Sequence, residues 1–432
     1  MDRFMSAYRR LGTLLSEKRY FVYLFLGVFL LFIGITGARR PDMVTYPQFY
    51  AEDGVFWYSE GYNARHFWEP FLVPKQRYFQ TISRFGGLLG NMVDIGHAPL
   101  VFNAIAILVL VSPALYFLSS RFEKLVPNVL TRLLCAVAYL SLLGTAETHA
   151  NLTNAQWRLA FLMYLIVIAP ASRKIAWNAF DGVMLALAGL SGPFVFFALP
   201  VAIVNYYFTS FKGRIHRVVI LSVAFLIQIY SYLFIVNDAA RSSAPLGMNL
   251  VTFSKIVSGN IFIAGIFGTD IVKNVRNISG WDSGFVPVLI AIFGFSLLGY
   301  VVLKAGWELR CFIVFAFMIF LAGLFSPQVS LDKPQWEVMA VGSGGRYYLF
   351  PTLAWVMSLG WLLLNSERKF FRNMAAALMI CLVFIGIPRD FTFSKYRDFQ
   401  FQRQVSEFKS LDIGQSYTFR IVPKWDMTLV RK

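Results

Sequence analysis

The chain has 432 residues, 57% hydrophobic and only 15% charged, with a net charge of +17 and a mean hydropathy of +0.58. A soluble domain carries about a quarter charged residues, so composition argues against a soluble enzyme. With no soluble basic domain to carry it, the positive charge does not point to a nucleic-acid partner either.

Crossing a bilayer as a helix takes about 20 apolar residues, and the backbone cannot cross lipid in an open form because its polar groups would go unpaired. Such runs recur along the chain. The predicted fold class is therefore all-α: a polytopic transmembrane helical bundle of about 11 spans, at 20–38, 98–118, 130–146, 155–171, 175–191, 194–209, 218–236, 285–303, 311–325, 347–364 and 373–388. The first run is followed by Arg39-Arg40-Pro41 rather than a small-residue cleavage site, and reads as an uncleaved span. The stretch 175–209 is broken at Ser191-Gly192-Pro193 and reads as two short spans meeting at a tight turn. The stretch 256–271 is short and Gly-rich, and reads as an interfacial or re-entrant helix. Cys135, Cys311 and Cys381 fall inside apolar runs without CxxC spacing, so neither a disulfide framework nor a zinc site is indicated.

Charge sets the orientation. Arg3, Arg9, Arg10, Lys18 and Arg19 precede the first span, and alternate loops carry Arg121, Lys124 and Arg132; Arg173 and Lys174; Lys212, Arg214 and Arg217; Lys304 and Arg310; and Arg368, Lys369 and Arg372. The positive-inside rule makes that face cytoplasmic. Loops 39–97, 147–154, 237–284 and 326–346 then lie outside. Residues 1–388 form the bundle and 389–432 a small outer tail, although the tail holds nine Lys/Arg against five Asp/Glu. Long translocated segments obey the charge rule poorly.

The first outer loop reads Tyr46-Pro-Gln-Phe-Tyr-Ala-Glu52-Asp53-Gly54-Val-Phe-Trp-Tyr-Ser-Glu60-Gly61-Tyr62. Two adjacent carboxylates among aromatic residues raise one another's pKa and lose solvent, which favours a general acid or base. The alternative is that Glu52 or Asp53 caps an amphipathic helix over 54–66.

This layout, with carboxylates after the first span, then membrane-parallel amphipathic segments and a many-span bundle, resembles the GT-C superfamily of integral membrane glycosyltransferases. The stretch Glu69-Pro-Phe-Leu-Val-Pro74-Lys75-Gln-Arg77-Tyr78, with Arg84 beyond it, is similar to the approach to the second span in bacterial members. The resemblance implies a catalytic base in the first outer loop, Asp53 or Glu52, with Asp53 favoured; the order Glu-Asp departs from the commoner Asp-Glu. It also implies a sugar donor on a polyprenyl phosphate, a glycan acceptor, and a bacterial inner-membrane protein with a periplasmic active face.

Glu147-Thr-His149-Ala-Asn151-Leu-Thr-Asn154-Ala-Gln156-Trp157-Arg158 gathers polar groups and a ring into one hairpin, as sugar or acceptor recognition requires; ordinary turn chemistry with an interfacial Trp is the other reading. Arg158, about a turn into an apolar run, is a functional candidate by its position. Asn151-Leu-Thr153 also matches a glycosylation sequon. In Gly342-Ser-Gly-Gly345-Arg346-Tyr347-Tyr348 the glycines permit close backbone approach and Arg offers bidentate phosphate recognition. Arg346 and Tyr347 are the first donor-phosphate candidates, with Lys75, Arg77 and Arg84 behind them. The metal question stays open: His66 and His149 lack ligand spacing, while a divalent cation on Glu52 and Asp53 fits the carboxylate pair. The expected reaction is inverting transfer of a hexose, as in bacterial O-antigen side-branch glucosylation. A flippase of lipid-linked sugar is the rival, although no inverted repeat is visible. A membrane acyltransferase seeded on His149 ranks behind it.

Overall fold

The computed structural model describes residues 18–208, 214–235 and 242–432. Arg3, Arg9, Arg10 and Lys212 of the charge argument lie outside the described residues. Seven described helices are long and apolar enough to cross a membrane: Ala98–Leu118, Ile215–Phe234, Leu250–Phe267, Phe285–Lys304, Trp307–Phe325, Gly345–Asn365 and Lys369–Asp390. Five shorter apolar helices accompany them. The chain is a multi-pass helical membrane protein. The segment 256–271, expected to be a short interfacial or re-entrant helix, begins within a longer apolar helix, Leu250–Phe267, of 18 residues, wound as a π-helix over Val257–Ile263.

Two compact units share the chain. Of the described residues, those within Met1–Leu140, His149–Ala239 and Ser394–Lys432 form the first, and those within Ser141–Thr148 and Ala240–Phe393 the second. At the centre of the first is the helix Ala155–Ile168, buried at every residue except Gln156 and packed against Ala98–Leu118, Ile175–Gly189 and Val195–Phe208. A helix apolar on all sides belongs inside a bundle. The helix Ile215–Phe234 shows the opposite pattern, exposing Val219, Val223, Leu226, Tyr230 and Leu233. That spacing of four, three, four and three is one helix face, and in a bilayer it is the face turned to lipid.

The tail adds strand to an otherwise helical chain. The helix Phe401–Lys409 lies beside an antiparallel hairpin of β1 (Ser416–Ile421) and β2 (Trp425–Val430). Phe401, Val405 and Phe408 bury against Phe419, as Ile421, Met427 and Leu429 fill the strands' inner face. This small core sits on the first loop within the same unit. Phe49 meets the rings of Tyr58, Phe102 and Phe401 at 4.7, 5.3 and 5.5 Å. Polar ties flank it: Tyr396 N to Asp42 Oδ2 at 3.0 Å, Phe399 N to Gln48 Oε1 at 2.8 Å and Lys409 Nζ to Asp94 Oδ2 at 2.6 Å.

In the second unit, Phe262 occupies the space a side chain at Gly294 would need. The indole of Trp336 donates to Leu324 O at 2.8 Å. Asp390, at the end of Lys369–Asp390, accepts from Gly144 N at 2.7 Å and from Thr269 Oγ1 at 2.8 Å, which ties three segments together.

Candidate functional site

The turn before Asp53 is held open by the tail. Ala51 has φ 45°, a left-handed conformation that costs a residue with a side chain about 1 kcal/mol or more. Its N–H donates to Val422 O at 2.6 Å, and Val422 N returns to Phe49 O at 3.2 Å. The chain then winds as a π-helix, Asp53–Tyr58, and continues as Ser59–Asn63 in place of the single amphipathic helix expected over 54–66. Gly54 lies close against the tail: a Cβ there would stand 2.7 Å from Ile421 Cδ1 and displace that side chain. Gly87 is required, because a Cβ there would fall on the backbone carbonyl oxygen of Trp57. Gly87→Ala forces backbone apart and is expected to cost about 1–3 kcal/mol, read as a lower unfolding temperature in neutral detergent; an unchanged temperature would refute the close approach.

Neither carboxylate caps the π-helix, contrary to the capping alternative. Asp53 is 1% exposed and faces the turn between the helices Val129–Leu140 and Ala155–Ile168. Oδ2 accepts from Leu152 N at 3.1 Å, while Oδ1 accepts from Thr153 N and Thr153 Oγ1, each at 2.7 Å. The Trp57 indole reaches Thr153 Oγ1 at 3.4 Å. Two effects oppose each other at this carboxyl. Burial disfavours the charge, and the three donors favour it. Burial prevails, helped by the negative charge of Glu52, and raises the pKa from 3.8 to about 7. Glu52 itself is only partly buried.

The secondary phosphate candidates lie close by. Arg84 is 3% exposed, donates to Glu60 Oε2 at 2.7 Å and to Val73 O at 3.0 Å, and lies 4.9 Å over the Trp57 ring. Lys75 pairs with the other oxygen of Glu60. Two cations thus share one carboxylate and leave one positive charge in excess. Arg77 stands apart at φ 74°, exposed over the Tyr232 ring at 5.6 Å.

The hairpin read as one sugar-binding cluster divides. Asn151 and Asn154 are buried and bonded to each other, Asn154 Nδ2 to Asn151 Oδ1 at 2.9 Å. His149 is 1% exposed with Nε2 2.9 Å from Thr36 O; burial and the cations Arg39, Arg158 and Arg40 hold its pKa well below the usual histidine range. Trp157 presents no open face, since its ring meets Phe194 at 4.8 Å and it is 7% exposed. Arg158 is buried with its guanidinium 5.3 Å over the Tyr139 ring. Gln156 Nε2 approaches Thr153 O at 3.4 Å. Glu147 belongs to the second unit, where it is the counter-ion of Arg346: Oε2 accepts Arg346 N at 3.1 Å and Oε1 accepts Nη1. Arg346 Nη2 donates to Gln328 O at 2.7 Å, and Tyr347 OH accepts from Gln328 N at 3.0 Å. The expected free phosphate clamp is therefore already an internal ion pair.

Two participants were missed in the sequence. Thr153 was visible only as the third residue of a sequon, and Glu60 only as a carboxylate near the motif. A divalent ion is not favoured by the donor set: both Asp53 oxygens already receive protons, and no group of three His, Cys, Asp or Glu side chains converges among the described residues. No family model, characterised protein or solved structure matches this chain.

Proposed function

We propose that this chain is an inverting membrane glycosyltransferase of the GT-C type, moving a hexose from a polyprenyl phosphate to a glycan acceptor at the outer face of a bacterial inner membrane. The observation that carries the proposal is Asp53: a buried carboxyl in the first loop, poised near neutral pH and touching a second polar turn about 100 residues away in sequence. A general base works best with a pKa close to the operating pH. In this reading the acceptor hydroxyl takes the position that Thr153 Oγ1 now holds against Asp53 Oδ1. Asp53 removes its proton as the oxygen attacks the anomeric carbon, the bond to the carrier phosphate breaks, and that phosphate leaves as an anion. Arg84 and Lys75, with their one excess positive charge, favour an anion beside Trp57. The imidazole on which the acyltransferase alternative is seeded, His149, is buried at 1% exposure.

Topology supports an outer site. The tail packs on the first loop within one unit, so the chain crosses the membrane an even number of times between them. Eleven apolar helices lie between Ala98 and Asp390. At least one therefore does not cross, and we assign that role to Leu250–Phe267 with its π-helical turn, which keeps the basic loops on one face.

The test is transfer of labelled hexose from a polyprenyl-phosphate hexose in membranes carrying this chain; no transfer across several sugars and acceptors would sink the reading. Thr153→Val gives a sharper check. Losing a hydrogen bond to the ionised form raises the Asp53 pKa of the free enzyme further, so the acidic limb of the kcat/KM profile is expected to move to higher pH. An unmoved limb would remove Asp53 from the role of base.

A further inference from the structure

The second unit contains a cavity of about 160 Å³ lined by Asn260, Thr269, Lys273, Arg276, Gly342, Gly345 and neighbouring apolar groups. A water needs about 10–15 Å³ of such space, so the cavity has room for a tetrahedral oxyanion and its immediate surroundings. Two cations line it and no carboxylate does. Arg276 makes one side-chain hydrogen bond, Nη1 to Val341 O at 3.1 Å, while its Nε is buried with no partner among the described residues. Arg276 lines the cavity, and the planar donors of a guanidinium suit an oxyanion. Gly342, beside Arg276, has φ 99°, a backbone conformation that favours glycine. Among the described residues Lys273 pairs with Asp270 at 2.7 Å, an ion pair that is 73% and 74% exposed and therefore weak.

The position of the cavity indicates what the anion is attached to. Thr269, Lys273 and Arg276 directly follow the apolar helix Leu250–Phe267. Gly345 begins the apolar helix Gly345–Asn365, and Asp390, which ends Lys369–Asp390, bonds Thr269. Three apolar helices thus end at one level beside two cations, the depth at which lipid phosphates lie. Of the nearby carboxylates, Asp390 is engaged by Gly144 and Thr269 and Glu147 by Arg346, while Asp270 pairs with Lys273 itself in an exposed ion pair that the anion replaces.

We propose that this cavity binds a phosphoryl group, with Arg276 and Lys273 as its ligands. The proposal concerns binding alone and does not rest on the transferase reading. The full chain in neutral detergent would be titrated with farnesyl phosphate, farnesol and inorganic phosphate, following its unfolding temperature. Farnesyl phosphate is expected to stabilise the protein and farnesol not to. Inorganic phosphate is expected to compete with farnesyl phosphate; binding it as tightly would identify a soluble phosphate as the ligand, and binding it more weakly a lipid headgroup, either result supporting the site. Arg276→Gln and Lys273→Gln are each expected to weaken farnesyl phosphate binding about tenfold or more. Lys273 is exposed, so its variant keeps the fold if the other does not. Equal stabilisation by farnesol, or unchanged binding by Lys273→Gln together with an unchanged or unfolded Arg276→Gln, would overturn the proposal.

Discussion

Asp53→Asn is expected to lower hexose transfer by about 10²–10⁴-fold, the span that positioned general-base catalysis contributes, in a protein that still folds. The amide oxygen can accept from Thr153 N and Oγ1 as Oδ1 does now. Its nitrogen then faces Leu152 N, so the 3.1 Å bond is lost. That loss costs about 1 kcal/mol and is offset because no charge remains to be buried. Stability against pH gives an independent readout. The folded pKa of Asp53, about 7, lies above its unfolded value of 3.8, so the folded protein binds the extra proton between them. The resulting stabilisation is fully present below pH 3.8 and lost as pH rises through 7. It amounts to something on the order of 4 kcal/mol, at about 1.4 kcal/mol per unit. Asp53→Asn should flatten that slope in detergent unfolding curves. A variant that transfers hexose at the normal rate would end the general-base assignment, and an unchanged slope would place the titration elsewhere.

Asp181→Asn is expected to destabilise the first unit by about 3–5 kcal/mol, the usual cost of removing one partner from a buried ionic network. Asp181 is fully buried on the helix Ile175–Gly189. Its Oδ2 receives Arg121 Nη2 at 2.7 Å and Arg217 Nη2 at 2.9 Å, and its Oδ1 receives Tyr116 OH at 2.8 Å. Arg217 Nη1 also holds Ala169 O at 2.6 Å. The carboxylate therefore ties Ala98–Leu118, Ile175–Gly189 and Ile215–Phe234 together, and its removal leaves two buried guanidiniums without a counter-ion. Exposed pairs would be worth less than about 1 kcal/mol, so the size of the effect distinguishes the two situations. Replacing Asp181, Arg121 and Arg217 together with Leu, Met and Met should recover most of the loss, since an apolar core of similar volume often does as well as a buried ion network. Thermal unfolding in neutral detergent measures both; a loss below about 1 kcal/mol for Asp181→Asn would contradict the network. This result also bears on the flippase alternative. Asp181, a carboxylate inside the apolar helix Ile175–Gly189, is locked among fixed donors rather than presented along a path.

The membrane-spanning class was legible from the sequence because hydrophobicity is a local property: a run of apolar residues needs no distant partner to be recognised. The same holds for the polar character of the first loop, the 147–158 hairpin and the 342–347 loop, each of which lies between or at the ends of apolar helices in the structure. What those polar residues bond to was decided only by tertiary packing. Asp53 meets Thr153 across 100 residues and Arg346 meets Glu147 across 199, separations at which no periodicity or spacing carries information. Packing also reversed the apparent availability of side chains: Trp157 lies against Phe194, and Arg346 against a carboxylate, whereas Arg276, which no motif marked, lines a cavity. Composition determines which residues must leave water. Only the folded chain determines which polar groups find partners when they do.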